Sequence, residues 1–218
     1  MDFSNTLHQI SVIALPILFA FTLSEAAMGY VARHFGDKTA ASMGRLTWNP
    51  GSHIDPLGTI LLPLALFFVS AGSILVGYAK PIPIDIRNLR NPKRDIVWVL
   101  LAKPAANFVQ AWLWGVLGFV LPGLGITEPF LVEMCALGSF LNLMLMAFSL
   151  LPIPPMTGGQ ILANLLPYQQ GQWLARIEPY GFYVVMGLAL FGLLGPVWLR
   201  PVMSAAHAVL NLLLLPFA

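Results

Sequence analysis

Glu25 is the residue of this sequence whose type and position first suggest chemistry. It lies in the stretch FTLSEAAMGY, residues 21–30, where almost every neighbour is apolar. A charge at membrane depth costs about 3 kcal/mol on insertion scales, so intramembrane ionisable residues are usually functional. We therefore expect Glu25 to be protonated, hydrated or paired with another group.

The elements that must position Glu25 are membrane helices. Of the 218 residues, 58% are hydrophobic and only 9% are charged, and the mean hydropathy is +0.79. Soluble domains carry roughly 25% charged residues. A helix needs about 20 apolar residues to cross a bilayer. The composition therefore predicts an all-α polytopic membrane protein, a single membrane domain over 1–218 with five or six membrane segments. The apolar runs are 10–32, 57–79, 96–121, 130–153, 180–199 and 202–217.

The basic residues indicate how these segments are oriented. Eight of the eleven Lys and Arg residues fall between Arg33 and Arg94, in the polar stretches on either side of segment 57–79. Short basic loops are retained on the cytoplasmic side, so this segment is expected to be re-entrant, entering and leaving by one face. A straight span that violates the charge rule is the alternative. The basic stretches carry no interleaved aromatic platform and adjoin membrane segments, which argues against nucleic acid as a partner and leaves the lipid bilayer.

Several motifs occur together in a fixed order. SEAAMGY begins at residue 24, GRLTWNPGSHIDPLGT at 44 and SLLPIPPMTGGQIL at 149, with KPIPIDIRNLRNPKRD and LAKPAANF between them. In this combination the chain resembles the site-2 protease family of intramembrane zinc metalloproteases, in particular the small bacterial members. The resemblance covers about residues 10–200. It implies a site-2 protease-like helical bundle in the cytoplasmic membrane of a bacterium.

The positions that carry the chemistry of this family are altered. The family has H-E-x-x-H on its first helix, whose histidines bind zinc while the Glu activates the metal-bound water. The resemblance places Ser24 and Met28 at the two histidines and Thr157 at the third ligand, an Asp. A hydroxyl and a thioether are poor zinc ligands. Glu25 is therefore the surviving general-base position of a site from which all three zinc ligands are lost.

Three further positions are read from the same resemblance. Ser149 stands where the family has Asn, and Lys103 stands where it has Gly. Asn107 is retained and corresponds to a substrate-orienting or oxyanion side chain. Because Lys103 lies close to the site in the family arrangement, we expect its ammonium to pair with Glu25. The alternative is that Lys103 extends to the membrane surface.

These features predict a catalytically inactive member of the family that binds no zinc and holds transmembrane segments of partner proteins. Two enzymatic alternatives remain open at this point. The first is an active zinc metalloprotease with substitute ligands, and the second is a hydrolase that uses Ser24 and Lys103 as nucleophile and base. A third interpretation is that the chain is an inactivated form of an active protease, produced either by natural change or by design.

Overall fold

The computed structural model describes residues 3–56, 61 and 80–217, and the secondary structure in these ranges is helical, without a β-strand. The predicted all-α fold is confirmed. The helices are α1 (Phe3–His34), α2 (Thr39–Ser42), α3 (Pro92–Gly123), α4 (Pro129–Ser149), α5 (Thr157–Leu165), α6 (Tyr168–Arg176), α7 (Glu178–Leu190) and α8 (Arg200–Leu214).

Four helical stretches in this part of the chain are long and apolar enough to cross a membrane. They are Leu7–His34, Pro92–Gly123, Pro129–Ser149 and Gly195–Phe217. The first three correspond to α1, α3 and α4, and the last contains α8 with a turn of π-helix before it. The predicted integral membrane protein is therefore confirmed, with its apolar helices embedded in a lipid bilayer.

Proline marks where these helices begin. Pro92, Pro129, Pro179 and Pro201 each occupy the first turn of a helix. Proline is well suited to this position because its missing N–H would have no partner within the helix and its φ is already helical. The apolar stretch that contains α8 begins earlier, at Gly195, and the π-helical turn there also has a proline, Pro196, near its start.

Close contacts between α3 and α4 show that they run antiparallel. A Cβ on Gly138 would come within 2.6 Å of the Trp114 indole, and a Cβ on Gly118 would lie 3.5 Å from that of Cys135. Higher residue numbers in α4 therefore face lower residue numbers in α3, as expected for antiparallel helices. The end of α4 consequently lies beside the beginning of α3, at the end of the bundle that we call the site face.

The directions of the other two long helices, α1 and the segment that contains α8, follow from their contacts with α4. His8 near the start of α1 is 3.8 Å from the carboxylate of Glu133 near the start of α4, so α1 runs parallel to α4. The Trp198 indole donates a hydrogen bond to the carbonyl of Ala147, near the end of α4 (2.8 Å). The segment that contains α8 therefore begins near the site face and runs toward the far half of α3.

The predicted apolar segment 180–199 does not form a membrane-crossing helix. Its helix, α7, has 13 residues and is about 20 Å long, shorter than the roughly 30 Å hydrocarbon layer. Gly192 has a φ of 68°, a left-handed conformation that suits glycine and interrupts the helix. Gly181 lies so close to Pro154 that a Cβ would meet its carbonyl oxygen. The hydropathy of the sequence predicted one long segment here, because hydropathy depends on side chains and does not detect a backbone turn.

Segment 57–79, predicted to be re-entrant, lies outside the described residues apart from Leu61. The chain on its two sides is described, and a hydrogen bond joins the Arg45 guanidinium to the carbonyl of Lys80 (3.2 Å). Both flanks lie at the site face, beyond the end of α1. The re-entrant course itself stays a prediction.

Candidate functional site

A buried apolar cluster brings together the three helices that carry the predicted site residues. Ala32 of α1, Val99 of α3 and Ile161 of α5 belong to this cluster, and Met28 packs against it. Ala32 lies one helical turn after Met28 on α1. The thioether at one predicted ligand position is therefore part of an apolar contact between helices.

On the other two helices, a predicted site residue likewise lies four residues from a member of the cluster. Lys103 lies one turn after Val99 on α3, and Thr157 lies one turn before Ile161 on α5. Residues four apart share a helix face. The predicted site residues of α1, α3 and α5 therefore lie in one region of the bundle, near the site face.

Glu25 is buried in this region and both of its carboxylate oxygens are occupied. Its exposed fraction is 4%. Oε1 accepts a hydrogen bond from the Lys103 ammonium at 2.5 Å, and Oε2 accepts one from the backbone N–H of Ile82 at 3.1 Å. The expected pairing of Lys103 with Glu25 is confirmed. The Lys103 side chain remains 33% exposed, so its stem reaches the carboxylate from the edge of the bundle.

The remaining side chains of α1 and α3 at the site are also buried. Ser24 is 1% exposed and its hydroxyl donates to the carbonyl of Phe21 in its own helix (3.1 Å). Asn107 lies one turn beyond Lys103 on α3 and is 2% exposed. Its Oδ1 has no hydrogen-bond partner among the described residues. Ser149 donates its hydroxyl to the carbonyl of Met146 (2.9 Å).

Thr157 is positioned by the two glycines that follow it. A Cβ on Gly158 would lie 2.0 Å from the carbonyl oxygen of Leu150, and one on Gly159 would lie 2.2 Å from the nitrogen of Pro154. Only glycine permits such close backbone contact, so these residues set the start of α5 against the chain that leaves α4. Thr157 is 9% exposed. Within the described ranges no hydrogen bond joins it to Ser24 or Glu25.

The sequence did not reveal the backbone donor to Glu25, which is Ile82 in the segment of residues 80–85. Lys80 and Ile82 each precede a proline, and residues before proline are restricted to extended conformations. Asp85 is also extended. The alternation of proline with isoleucine was the available signal for an extended segment, but no local pattern specifies which side chain its amides contact.

A second carboxylate, Asp37, holds the same segment just beyond the end of α1. It is 2% exposed, and its Oδ2 accepts from the backbone N–H of Asp85 at 2.9 Å. Its Oδ1 accepts from the Thr39 N–H and hydroxyl (2.9 and 2.5 Å) and from the Asn88 amide (3.3 Å). Burial alone would raise the pKa of Asp37, but these hydrogen bonds together outweigh burial and hold the pKa below its ordinary value.

The donor set at the site does not fit a catalytic zinc ion. Catalytic zinc is held by three strong protein ligands and keeps one open position. Among the described residues no group of three or more His, Cys, Asp or Glu side chains is arranged to hold a metal. At the three predicted ligand positions, the Ser24 hydroxyl is bonded to backbone, Met28 packs in an apolar cluster and Thr157 supplies a second hydroxyl. An ammonium group also already lies against Glu25.

In the described part of the chain, four helical stretches of membrane length, with a polar site buried where α1, α3 and α5 meet, define a polytopic helical membrane protein whose predicted site positions lie inside the bundle. "Putative zinc metalloprotease YwhC" of Bacillus subtilis (strain 168) is 36% identical over 206 residues, covering 89% of this chain and 87% of the relative. "Putative zinc metalloprotease Rip2" of Mycolicibacterium smegmatis (strain ATCC 700084 / mc(2)155) is 30% identical over 200 residues, covering 87% and 71%. The chain therefore belongs to the site-2 protease family.

Two other comparisons found nothing. No family model matches the chain, and no solved structure matches it.

Proposed function

We propose that this protein is a site-2 protease family member that does not hydrolyse peptide bonds and instead binds transmembrane segments of other proteins. The observation that carries the proposal is the Glu25–Lys103 ion pair at 2.5 Å. The carboxylate at the predicted general-base position, Glu25, forms an ion pair with a lysine of the same chain. Breaking a buried ion pair is costly, because it leaves an uncompensated charge.

The same geometry argues against the hydrolase alternative. A Ser/Lys mechanism needs the lysine nitrogen within hydrogen-bond reach of the serine hydroxyl. Lys103 contacts Glu25, and the hydroxyl of Ser24 donates to the Phe21 carbonyl. A serine-directed fluorophosphonate should therefore leave the purified protein unlabelled. Stoichiometric labelling that is lost in Ser24→Ala would replace the proposal with this alternative.

The binding function is supported by the apolar surface of the helix that carries Lys103. Trp98, Val109 and Leu113 of α3 are each about half exposed. This surface lies in the bilayer, where an apolar helix can pack against it. Because the relatives are bacterial and the basic residues gather at the site face, we place the protein in the bacterial cytoplasmic membrane with this face toward the cytoplasm.

Metal content tests the inactive state. The protein is purified in detergent, incubated with zinc, exchanged into metal-free buffer and analysed by mass spectrometry. We expect well below one zinc per chain. About one equivalent that a chelator removes, together with cleavage of a transmembrane substrate, would overturn the proposal in favour of a metalloprotease with substitute ligands.

Reconstruction of the ligand set gives a sharper version of this test. The triple variant Ser24→His, Met28→His, Thr157→Asp restores the family ligands but keeps Lys103 against Glu25. We expect it to bind zinc more weakly than the quadruple variant that also carries Lys103→Gly, because the ammonium opposes a second positive charge. Equal affinities in the two variants would show that Lys103 is not what excludes the metal.

Photocrosslinking tests partner binding. A photoreactive phenylalanine replaces Trp98 on α3 or, as the control, Leu212 on α8, which is 67% exposed. We expect Trp98 to yield adducts with transmembrane segments that Leu212 does not yield. The same adducts at both positions, or lipid adducts alone, would contradict binding beside the site.

A further inference from the structure

Three amide side chains lie inside the bundle beyond the ion pair. Asn107 and Gln110 belong to α3 and Asn142 to α4, with exposed fractions of 2%, 6% and 0%. Four of their polar atoms, Asn107 Oδ1, Gln110 Oε1 and Nε2, and Asn142 Oδ1, have no hydrogen-bond partner in the described part of the chain. The Nδ2 of Asn142 is used, since it donates to the carbonyl of Gly138 (2.9 Å).

The register of the two helices places two of these amides at the same level. Gly138 of α4 packs on Trp114 of α3, and the helices run antiparallel. One turn from each toward the site face are Asn142 on α4 and Gln110 on α3. Because residues four apart share a helix face, both amides lie on the facing sides of the α3–α4 interface.

Buried amides without partners are rare, because polar groups in an apolar medium are nearly always paired with protein or ordered water. Three of the four free atoms are oxygens, which accept hydrogen bonds, so a ligand of this site must be mainly a donor. Water meets this requirement, since buried waters make about three hydrogen bonds to such groups. A cation is less suitable because the site contains an unpaired donor, Gln110 Nε2, and no carboxylate.

We propose that Asn107, Gln110 and Asn142 form an internal binding site for water molecules at the α3–α4 interface. Lys103, Asn107 and Gln110 follow one another at four and three residues, so the site continues the polar face of α3 that begins at the Glu25–Lys103 pair. Water bound here hydrates that pair from within the bundle. This site is independent of whether the protein hydrolyses peptides or binds partners.

Radiolytic labelling in ¹⁸O-water tests the proposal, because activated buried water oxidises the side chains next to it. Two methionines of α4 form a matched pair, since Met146 is 8% exposed and Met134 is 7% exposed. Met146 lies one turn from Asn142, whereas Met134 lies two turns away on the other side. In the native protein in nanodiscs we expect ¹⁸O in Met146 well above that in Met134. Equal labelling of the two methionines would overturn the proposal.

Substitution links the signal to the amides. In the double variant Gln110→Leu, Asn142→Leu, we expect labelling of Met146 to fall to the level of Met134. Unchanged labelling in the folded double variant would overturn the assignment. If this variant does not fold, the contrast between the two methionines in the native protein still decides the question.

Thermal melts in different salts separate water from a bound ion. Melting curves in equal concentrations of sodium chloride and choline chloride should coincide if the ligand is water. A sodium-specific rise of the melting temperature that disappears in Asn142→Leu would identify a cation site and overturn the water assignment.

Discussion

Two buried carboxylates hold the same segment of the chain, and they differ in what neutralises them. Glu25 accepts from the amide of Ile82, and Asp37 accepts from the amide of Asp85, three residues further on. The remaining hydrogen bonds of Asp37 come from the neutral donors Thr39 and Asn88. Glu25 instead relies on the ammonium of Lys103, 78 residues away in the sequence.

The comparison shows which carboxylate depends on a cation from another membrane helix. Asp37 is satisfied by backbone and neutral side chains outside the membrane helices, so its arrangement does not involve Ser24, Met28 or Thr157. Glu25 lies in the membrane helix α1, between two of the predicted ligand positions, Ser24 and Met28, and an unpaired charge there is costly. Lys103 supplies the positive charge that its surroundings otherwise lack.

The largest expected effect concerns Asp37. Asp37→Ala leaves the amides of Thr39 and Asp85 without their acceptor, and we expect a loss of about 3 kcal/mol in the free energy of unfolding. Denaturation in mixed detergent micelles measures it. The matched control is Asp85→Ala, which keeps the backbone amide and removes a partly exposed carboxylate that, in the described part of the chain, accepts only from the side chain and backbone N–H of Arg87. If the two variants unfold alike, the Asp37 hydrogen bonds do not hold the segment.

Removing the cation from Glu25 should have the next largest effect. Lys103→Met is expected to cost about 2 kcal/mol, below the 3–5 typical of broken buried pairs because the lysine is partly exposed. Adding Glu25→Gln removes the uncompensated charge and should restore much of the loss. Unfolding of the two single variants and the double variant forms the cycle. Additive effects would show that the two side chains do not stabilise each other.

Acidification should weaken the stabilising contribution of Asp37. Because the pKa of Asp37 is lower in the folded protein, its contribution to stability is complete above the unfolded-state pKa of about 3.9 and is lost as the pH falls through the folded-state pKa. The stability difference between the native protein and Asp37→Asn should therefore shrink as the pH is lowered from 5 to 3. A difference that stays constant over this range would contradict the lowered pKa.

The smallest effect is expected at Ser24. Its hydroxyl donates only to the carbonyl of Phe21 in its own helix, so Ser24→Ala should change the free energy of unfolding by less than about 0.5 kcal/mol. The same denaturation assay measures it, with Thr22→Ala as a comparison, since Thr22 makes an equivalent bond to Leu18. A large loss specific to Ser24 would indicate a partner for this hydroxyl beyond its own helix.

Much of the bundle could be predicted from the sequence, because the hydropathy of a segment and the position of a proline are properties of the local sequence. The apolar runs identified α1, α3 and α4. Hydropathy failed for 180–199, because a left-handed Gly192 and the sequence Gly195–Pro196 divide an apolar run without making it polar. A scale that sums side-chain transfer energies does not register such a backbone turn.

The site could be predicted in part, for a related reason. The pairing of Lys103 with Glu25 followed from the cost of a lone membrane charge together with family positions. The contacts of Asp37 with Asp85 and of Glu25 with Ile82 join residues about 50 apart through backbone amides, which every residue except proline possesses. Gln110 carried a usable signal, since it lies three residues after Asn107 on the same helix face.

The two prolines of the segment at residues 80–85 limit how other chains can contact it. Pro81 and Pro83 have no amide hydrogen, and the amides of Ile82 and Asp85 are already bound. From Pro81 to Asp85, only the amide of Ile84 is then left to pair with a neighbouring strand. An extended segment at a protein surface normally risks recruiting further strands into a growing sheet. This one has almost no donors for that process, so we expect it to resist β-sheet aggregation even where its edge is exposed.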